Sequence, residues 1–248
     1  MSIPALILLF LQVVPTQSAD PEALFQQANQ WYSNEQYAEA VQAYEQITAS
    51  GSENGILYFN LGNAYYKLEQ NSRAILNYER ARRFRPNDPD LLANLQLAQM
   101  RIVDKITPIP DMLHVRIWNA LVETGDERTW RTLFILGLNI TAVLLCIRIL
   151  FGRWHRGLRA GFLFSGLVAV IMLACAFSAS NARHTSSRAV VMADKVEVRG
   201  SPAGDGIELF ALHEGTVVKV LRRSGDWLEI VLADGNVGWA PGDTLEMI

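Results

Sequence analysis

The segment from Leu61 to Pro89 reads LGNAYYKLEQNSRAILNYERARRFRPNDP, and its spacing decides how the first hundred residues fold. Small residues and tyrosines recur in it at helical intervals, and Pro86 and Pro89 break the pattern. Shifted back by 34 residues, the segment overlays the one before it. With Pro21 and Gly55 as starting points, Ala28 falls on Gly62, Trp31 on Tyr65, Ala40 on Ala74 and Tyr44 on Tyr78. Leu24 and Tyr58, Gln27 and Leu61, and Ile47 and Ala81 keep the same register, and a third, partial unit starts at Pro89 with Leu92 and Leu95. A fixed period of this length marks stacked helical hairpins, each burying its apolar face against the next. Ala28 and Gly62, with Ala40 and Ala74, are the small residues that let two helices of a hairpin approach closely. Trp31, Tyr44, Tyr65 and Tyr78 then fill the space between as core.

The order of these residues over 21–104 resembles the tetratricopeptide repeat, with its small residue, aromatic, alanine and closing proline. That resemblance implies a concave groove lined by the first helix of each hairpin. The groove positions are Phe25, Asn29, Tyr32 and Ser33 in the first unit and Phe59, Asn63, Tyr66 and Lys67 in the second. Asn29 and Asn63 lie one repeat apart, at a position where family members that bind peptides hydrogen-bond an extended chain; an amide both donates and accepts. The other reading of the two asparagines is as solvated surface residues; as groove residues too, alanine in their place is expected to leave folding nearly intact, within about 0.5 kcal/mol, while weakening partner binding. The third unit has Ala93 and Leu97 where a clamp for a terminal carboxylate needs Lys or Arg, so the expected ligand is a general protein segment.

The remaining composition points to a membrane. Half of the 248 residues are hydrophobic, and the formal net charge is -3, without the clustered basic excess that tracking nucleic-acid phosphates requires. Residues 1–19 have an apolar run from Ile3 to Val14 followed by Pro15 and small polar residues, the pattern of a secretory signal peptide cleaved after Ala19; an uncleaved anchor is the other reading. Two apolar stretches, residues 130–151 and 160–180, are each long enough to cross a hydrocarbon core of roughly 30 Å. Only the turn 152–159, GRWHRGLR, joins them, which predicts an antiparallel hairpin with an arginine-rich tip on the cytoplasmic side. Within the linker 105–129, Leu113, Ile117, Trp118 and Leu121 form one side of a short amphipathic helix, suited either to a membrane interface or to packing on the repeats. Asn139 and Arg148 are polar groups inside the first span. Cys146 and Cys175 sit at depths about 20 Å apart, too far for a disulfide.

A short linker, 181–188, leads to residues 189–248, which switch to short β-rich runs separated by glycine-rich turns. A Val196-x-Val198-Arg199 strand, Ser201-Pro202, Gly215 with Val218, Val220 and Leu221, Asp226-Trp227-Leu228, and Asp234-Gly235 followed by Gly238-Trp239 resemble the bacterial SH3 domain. Trp227 and Trp239 are either half-exposed ligand platforms or core tryptophans. The chain therefore reads as multidomain: an all-α tetratricopeptide solenoid over 20–104, a two-helix transmembrane hairpin, and an all-β SH3-like barrel. The whole order is similar to that of the E-type proteins of the Bacteroides aerotolerance (Bat) group. The resemblance implies a bacterial inner membrane, partners among von Willebrand A-type membrane proteins and a MoxR-type AAA ATPase, and a role in stress tolerance or envelope maturation. His114, His155, His184 and His213 are scattered, without a metal or nucleophile motif, so no catalytic residue, metal or cofactor is expected. Two functions remain: a membrane-anchored scaffold with both soluble domains in the periplasm, and a cell-wall module in which the SH3 domain grips peptidoglycan.

Overall fold

The amino-terminal third forms five helices, α1 (Pro21–Ser33), α2 (Tyr37–Ala49), α3 (Gly55–Lys67), α4 (Asn71–Phe84) and α5 (Pro89–Gln99), and proline opens the first and the last of them. Asp20 accepts from the Glu22 N–H, Asn54 from Leu57 and Asp88 from Asp90 and Leu91, so α1, α3 and α5 start on capped first turns. These coordinates are a computed structural model, which describes residues 20–152, 156–185, 187–204 and 206–248. The signal peptide expected over 1–19 lies outside the described residues, as do Arg153 and His155 of the expected turn.

The repeat spacing translates directly into packing. Ala28, Ala40 and Ala74 are fully buried, and a Cβ placed on Gly62 would sit 2.7 Å from the ring of Tyr78. Tyr44 and Tyr78 fill equivalent places, with Phe25 packed on the first at 5.8 Å and Phe59 on the second at 6.1 Å between ring centres. The turns also repeat. Glu35 and Glu69 both adopt φ of 62°, a left-handed conformation that disfavours side chains with a Cβ.

After the repeats come α6 (Leu113–Glu123), α7 (Glu127–Phe151) and α8 (Arg156–Thr185). The last two pack antiparallel: Gly137 lies against Ala169, the Thr141 hydroxyl is 3.0 Å from that of Ser165, and Gly161 approaches Leu144. Both are long and apolar enough to cross a membrane. The helices outrun the apolar stretches, since α7 starts on its Asp126 cap and α8 already includes Arg156 and Arg159. The helix α6 packs on α8. Trp118 donates to the Ser178 hydroxyl at 3.2 Å, and Val122 joins it against Cys175 and Ala176. Trp118 thereby leaves the row formed with Leu113, Ile117 and Leu121, which stays exposed, because a tryptophan pairs along a helix with the residue four positions on. Trp130 at the start of α7 is buried in the same cluster and donates to the carbonyls of Val122 and Gly125, closing the end of α6.

The tail is a seven-stranded antiparallel sheet: β1 (Arg188–Val191), β2 (Lys195–Arg199), β3 (Glu208–His213), β4 (Val217–Ser224), β5 (Trp227–Val231), β6 (Val237–Pro241) and β7 (Leu245–Met247), in the order β3-β2-β6-β5-β4-β1-β7. Inward and outward residues alternate, as in β2, where Val196 and Val198 are buried between exposed Lys195 and Glu197. Its core takes in Ile106 from the linker, whose next residues run on to a hydrogen bond from the Ile109 N–H to the Ala233 carbonyl. The repeats and the sheet also share apolar contacts. Val190 is fully buried in the repeat core, with Met192, Val217 and Ile248 packed against it.

Candidate functional site

The groove positions gather along α1 and α3. Phe25, Tyr32, Phe59 and Tyr66 are partly buried, while Lys67 is exposed. Asn29 and Asn63 do not behave as free surface amides. The Asn29 carbonyl oxygen accepts from the buried Tyr44 hydroxyl at 2.6 Å and from the Asn60 amide at 3.0 Å. One repeat later the Asn63 oxygen accepts from Tyr78 at 2.8 Å and from Asn94 at 2.9 Å. Burial pushes the Tyr44 hydroxyl up to about 12, and burial raises that of Tyr78 further, so both remain protonated donors at neutral pH.

This arrangement fixes which polar groups this side of α1, α3 and α5 can offer. Each of the first-unit and second-unit asparagines is held by its oxygen, which leaves the amide N–H groups of Asn29 and Asn63 as donors and the oxygens of Asn60 and Asn94 as acceptors. A peptide backbone presents the complementary set. Asn60 and Asn94 were not picked out from the sequence, although they too are 34 residues apart. The expectation that alanine at Asn29 and Asn63 would be nearly neutral is overturned, since it would strand two buried tyrosine hydroxyls. Tyr66 is further constrained by Arg101, whose guanidinium lies 4.2 Å from its ring centre.

The second-helix side of the repeats is occupied by the tail. Asp104 accepts from the His213 backbone N–H at 2.7 Å and from the Thr216 hydroxyl at 2.6 Å, and its other oxygen lies 2.8 Å from His213 Nδ1. Burial raises the Asp104 carboxyl, but these hydrogen bonds outweigh it and hold the group below its ordinary value. Glu79, buried within the repeats, pairs with Arg82 and with Arg188 of β1, each at 2.9 Å. Arg80 reaches Glu246 at 2.9 Å, and Ser72 donates to Glu214. Gly215, at φ +84°, lets the β3–β4 turn close on Ile75 and Ile102. Two clefts of about 820 and 420 Å³ open along this junction, and neither is lined by any of the groove positions.

In the sheet, Trp239 is 8% exposed, and the Arg222 guanidinium lies 5.2 Å from its ring centre, so its indole is not an open platform. Trp227 is half-buried at the start of β5. Residues 62–102 match the family described as TPR repeat, and residues 195–248 match the one described as variant SH3 domain. No curated protein matches the chain. Both matched families are binding modules, and the chain thus joins a tetratricopeptide region to an SH3-type sheet through two helices with the length and apolarity of membrane spans.

Proposed function

We propose that this protein is a membrane-anchored, non-catalytic scaffold that holds an extended segment of a partner protein in the concave groove of its repeats. The observation that carries this reading is the duplicated pair Asn29–Asn60 and Asn63–Asn94. Each pair sets spare donors beside spare acceptors at repeat intervals, on the same helices as the partly buried rings of Phe25, Tyr32, Phe59 and Tyr66 and exposed Lys67. Residues 1–19 act as a signal that exports the repeats, 130–151 and 160–180 cross the bacterial inner membrane, and the arginine-rich turn stays in the cytoplasm. The antiparallel hairpin supports a common side for the two soluble regions, since the start of α7 and the end of α8 meet at Trp130 and Cys175. On the likeness to the Bat group, that side is the periplasm, and the partners are von Willebrand A-type membrane proteins working with a MoxR-type ATPase in stress tolerance or envelope maturation.

The test uses the full chain, because linker residues complete the core of the sheet. Tagged protein is purified from membranes beside an Asn60→Ala, Asn94→Ala variant, and the captured proteins are quantified. These two substitutions spare the tyrosine hydroxyls while removing two recognition groups. Capture is expected to fall about tenfold, the effect of losing two hydrogen bonds of about 0.5–1.5 kcal/mol each. Unchanged capture defeats the groove reading. Sedimentation of the protein with murein sacculi, without any captured partner, transfers the function to the sheet as a peptidoglycan-binding module.

A further inference from the structure

The helix α7 carries a polar group that its own hairpin leaves unanswered. Asn139 is the central residue of Glu127–Phe151, twelve positions from either end, and thus at mid-depth of the span. It lies two residues from both Gly137 and Thr141, which face α8, so the 100° step of a helix turns it to the opposite side. One amide N–H donates to the Ile135 carbonyl at 2.8 Å within α7. The second N–H and the carbonyl oxygen have no protein partner among the described residues.

In hydrocarbon there is no water to satisfy them, which favours a polar partner on a neighbouring helix. The same face holds Thr132 and Cys146, each seven residues from Asn139, between the exposed side chains of Leu136 and Val143. A seven-residue spacing keeps these positions along one seam between two crossing helices. An amide is self-complementary, and two copies of one chain inserted with one topology present their α7 helices parallel. A twofold axis along the membrane normal then sets each of these residues opposite itself.

We propose that the Asn139 face of α7 is a self-association surface, on which a second copy of this chain packs in parallel and exchanges hydrogen bonds between the two Asn139 amides at mid-depth. The proposal rests on the membrane reading above. It predicts that Cys146, exposed on this face, meets Cys146 of the second copy, whereas Cys175 is buried against α6 and the start of α7.

The full chain is expressed in bacterial membranes, its insertion checked by resistance to alkaline carbonate, and oxidised with copper phenanthroline. A disulfide-linked species of twice the chain mass should form, survive Cys175→Ala and vanish with Cys146→Ala. Asn139→Leu should lower its yield about fivefold, in line with the loss of interhelical hydrogen bonds, and Asn139→Gln should restore much of it. Sedimentation in detergent micelles should show the same order of dimer content. An undiminished dimer in Asn139→Leu overturns the proposal, as does a Cys146 crosslink to a different protein. A carbonate-resistant parent that is monomeric by both measurements also overturns it and leaves the membrane reading intact; extraction by carbonate removes both.

Discussion

The two sides of the repeats use polar side chains to opposite ends. On the side covered by the sheet, Glu79, Arg80, Ser72 and Asp104 meet Arg188, Glu246, Glu214, His213 and Thr216. Along α1, α3 and α5, Asn29 and Asn63 spend their oxygens on internal donors and keep their N–H groups, while Asn60 and Asn94 keep their oxygens. Charges serve where the chain closes on itself, because a carboxylate accepting several hydrogen bonds is strongly held. Amides line the side left open, since they donate and accept at once without the desolvation cost of an unpaired ion.

The largest expected effect is on the packing common to both sides. Gly62→Leu drives a side chain into Tyr78, which is fully buried and has no room to swing away, and should cost about 3 kcal/mol. Thermal unfolding followed by circular dichroism checks this; an unchanged melting temperature breaks the common-core description of the repeats. Next in size is the asymmetry within the asparagine pairs. Asn63→Ala should cost about 2 kcal/mol by stranding the Tyr78 hydroxyl, whereas Asn94→Ala should cost about 1 kcal/mol or less. Equal losses in denaturant titrations would mean that the anchoring and presenting roles are not separate.

The sheet-covered side should show its charge through pH. The Asp104 carboxyl is lowered in the folded chain, so its contribution is fully present above the unfolded value near 3.8 and is lost as pH falls through the folded one. Acidification from about pH 5 to about pH 3 should therefore lower the protection factors of the His213 and Thr216 backbone N–H groups, taken relative to the intrinsic exchange rate at each pH, in the parent. Asp104→Asn should weaken the junction at neutral pH and flatten that acid response; an unaltered response places the titrating group elsewhere. The smallest effect is a gain. Glu35→Gly or Glu69→Gly relieves a left-handed residue and should raise stability by about 1 kcal/mol each, read as a higher midpoint in urea. A loss at either position would show that the glutamate side chain does more there than turn the chain.

Much of this architecture is legible in the sequence because its signals are periodic. The 34-residue register, the two apolar runs and the glycine-punctuated strands each repeat a local rule, and local rules survive without knowledge of the fold. That Phe25, Asn29, Tyr32, Phe59, Asn63, Tyr66 and Lys67 fall on α1 and α3 follows from the same register. What the register does not reveal is pairing across it: Asn60 with Asn29, or Tyr78 with Asn63, depends on the approach of one hairpin to the next. The junction is harder still. Asp104 and His213 are 109 residues apart, and nothing local to Asp104 distinguishes it from a solvated aspartate. Ile106 likewise sits in a proline-containing linker whose composition suggests a spacer, yet it completes the core of the sheet.

The long reach of that junction has a consequence for biogenesis. Asp104, Glu79 and the pocket that receives Val190 are synthesised before the hairpin, and their counterparts His213, Thr216 and Arg188 after it. On the membrane reading proposed above, the halves meet only in a chain whose second helix has returned across the bilayer. A chain stalled after one crossing leaves Glu79 and its apolar surroundings uncovered on one side and the unclosed sheet on the other, which makes both substrates for quality-control proteases. On the topology proposed above, the ion pairs and the shared core act as a latch that closes only on correctly threaded molecules, a form of proofreading written into the order of the chain.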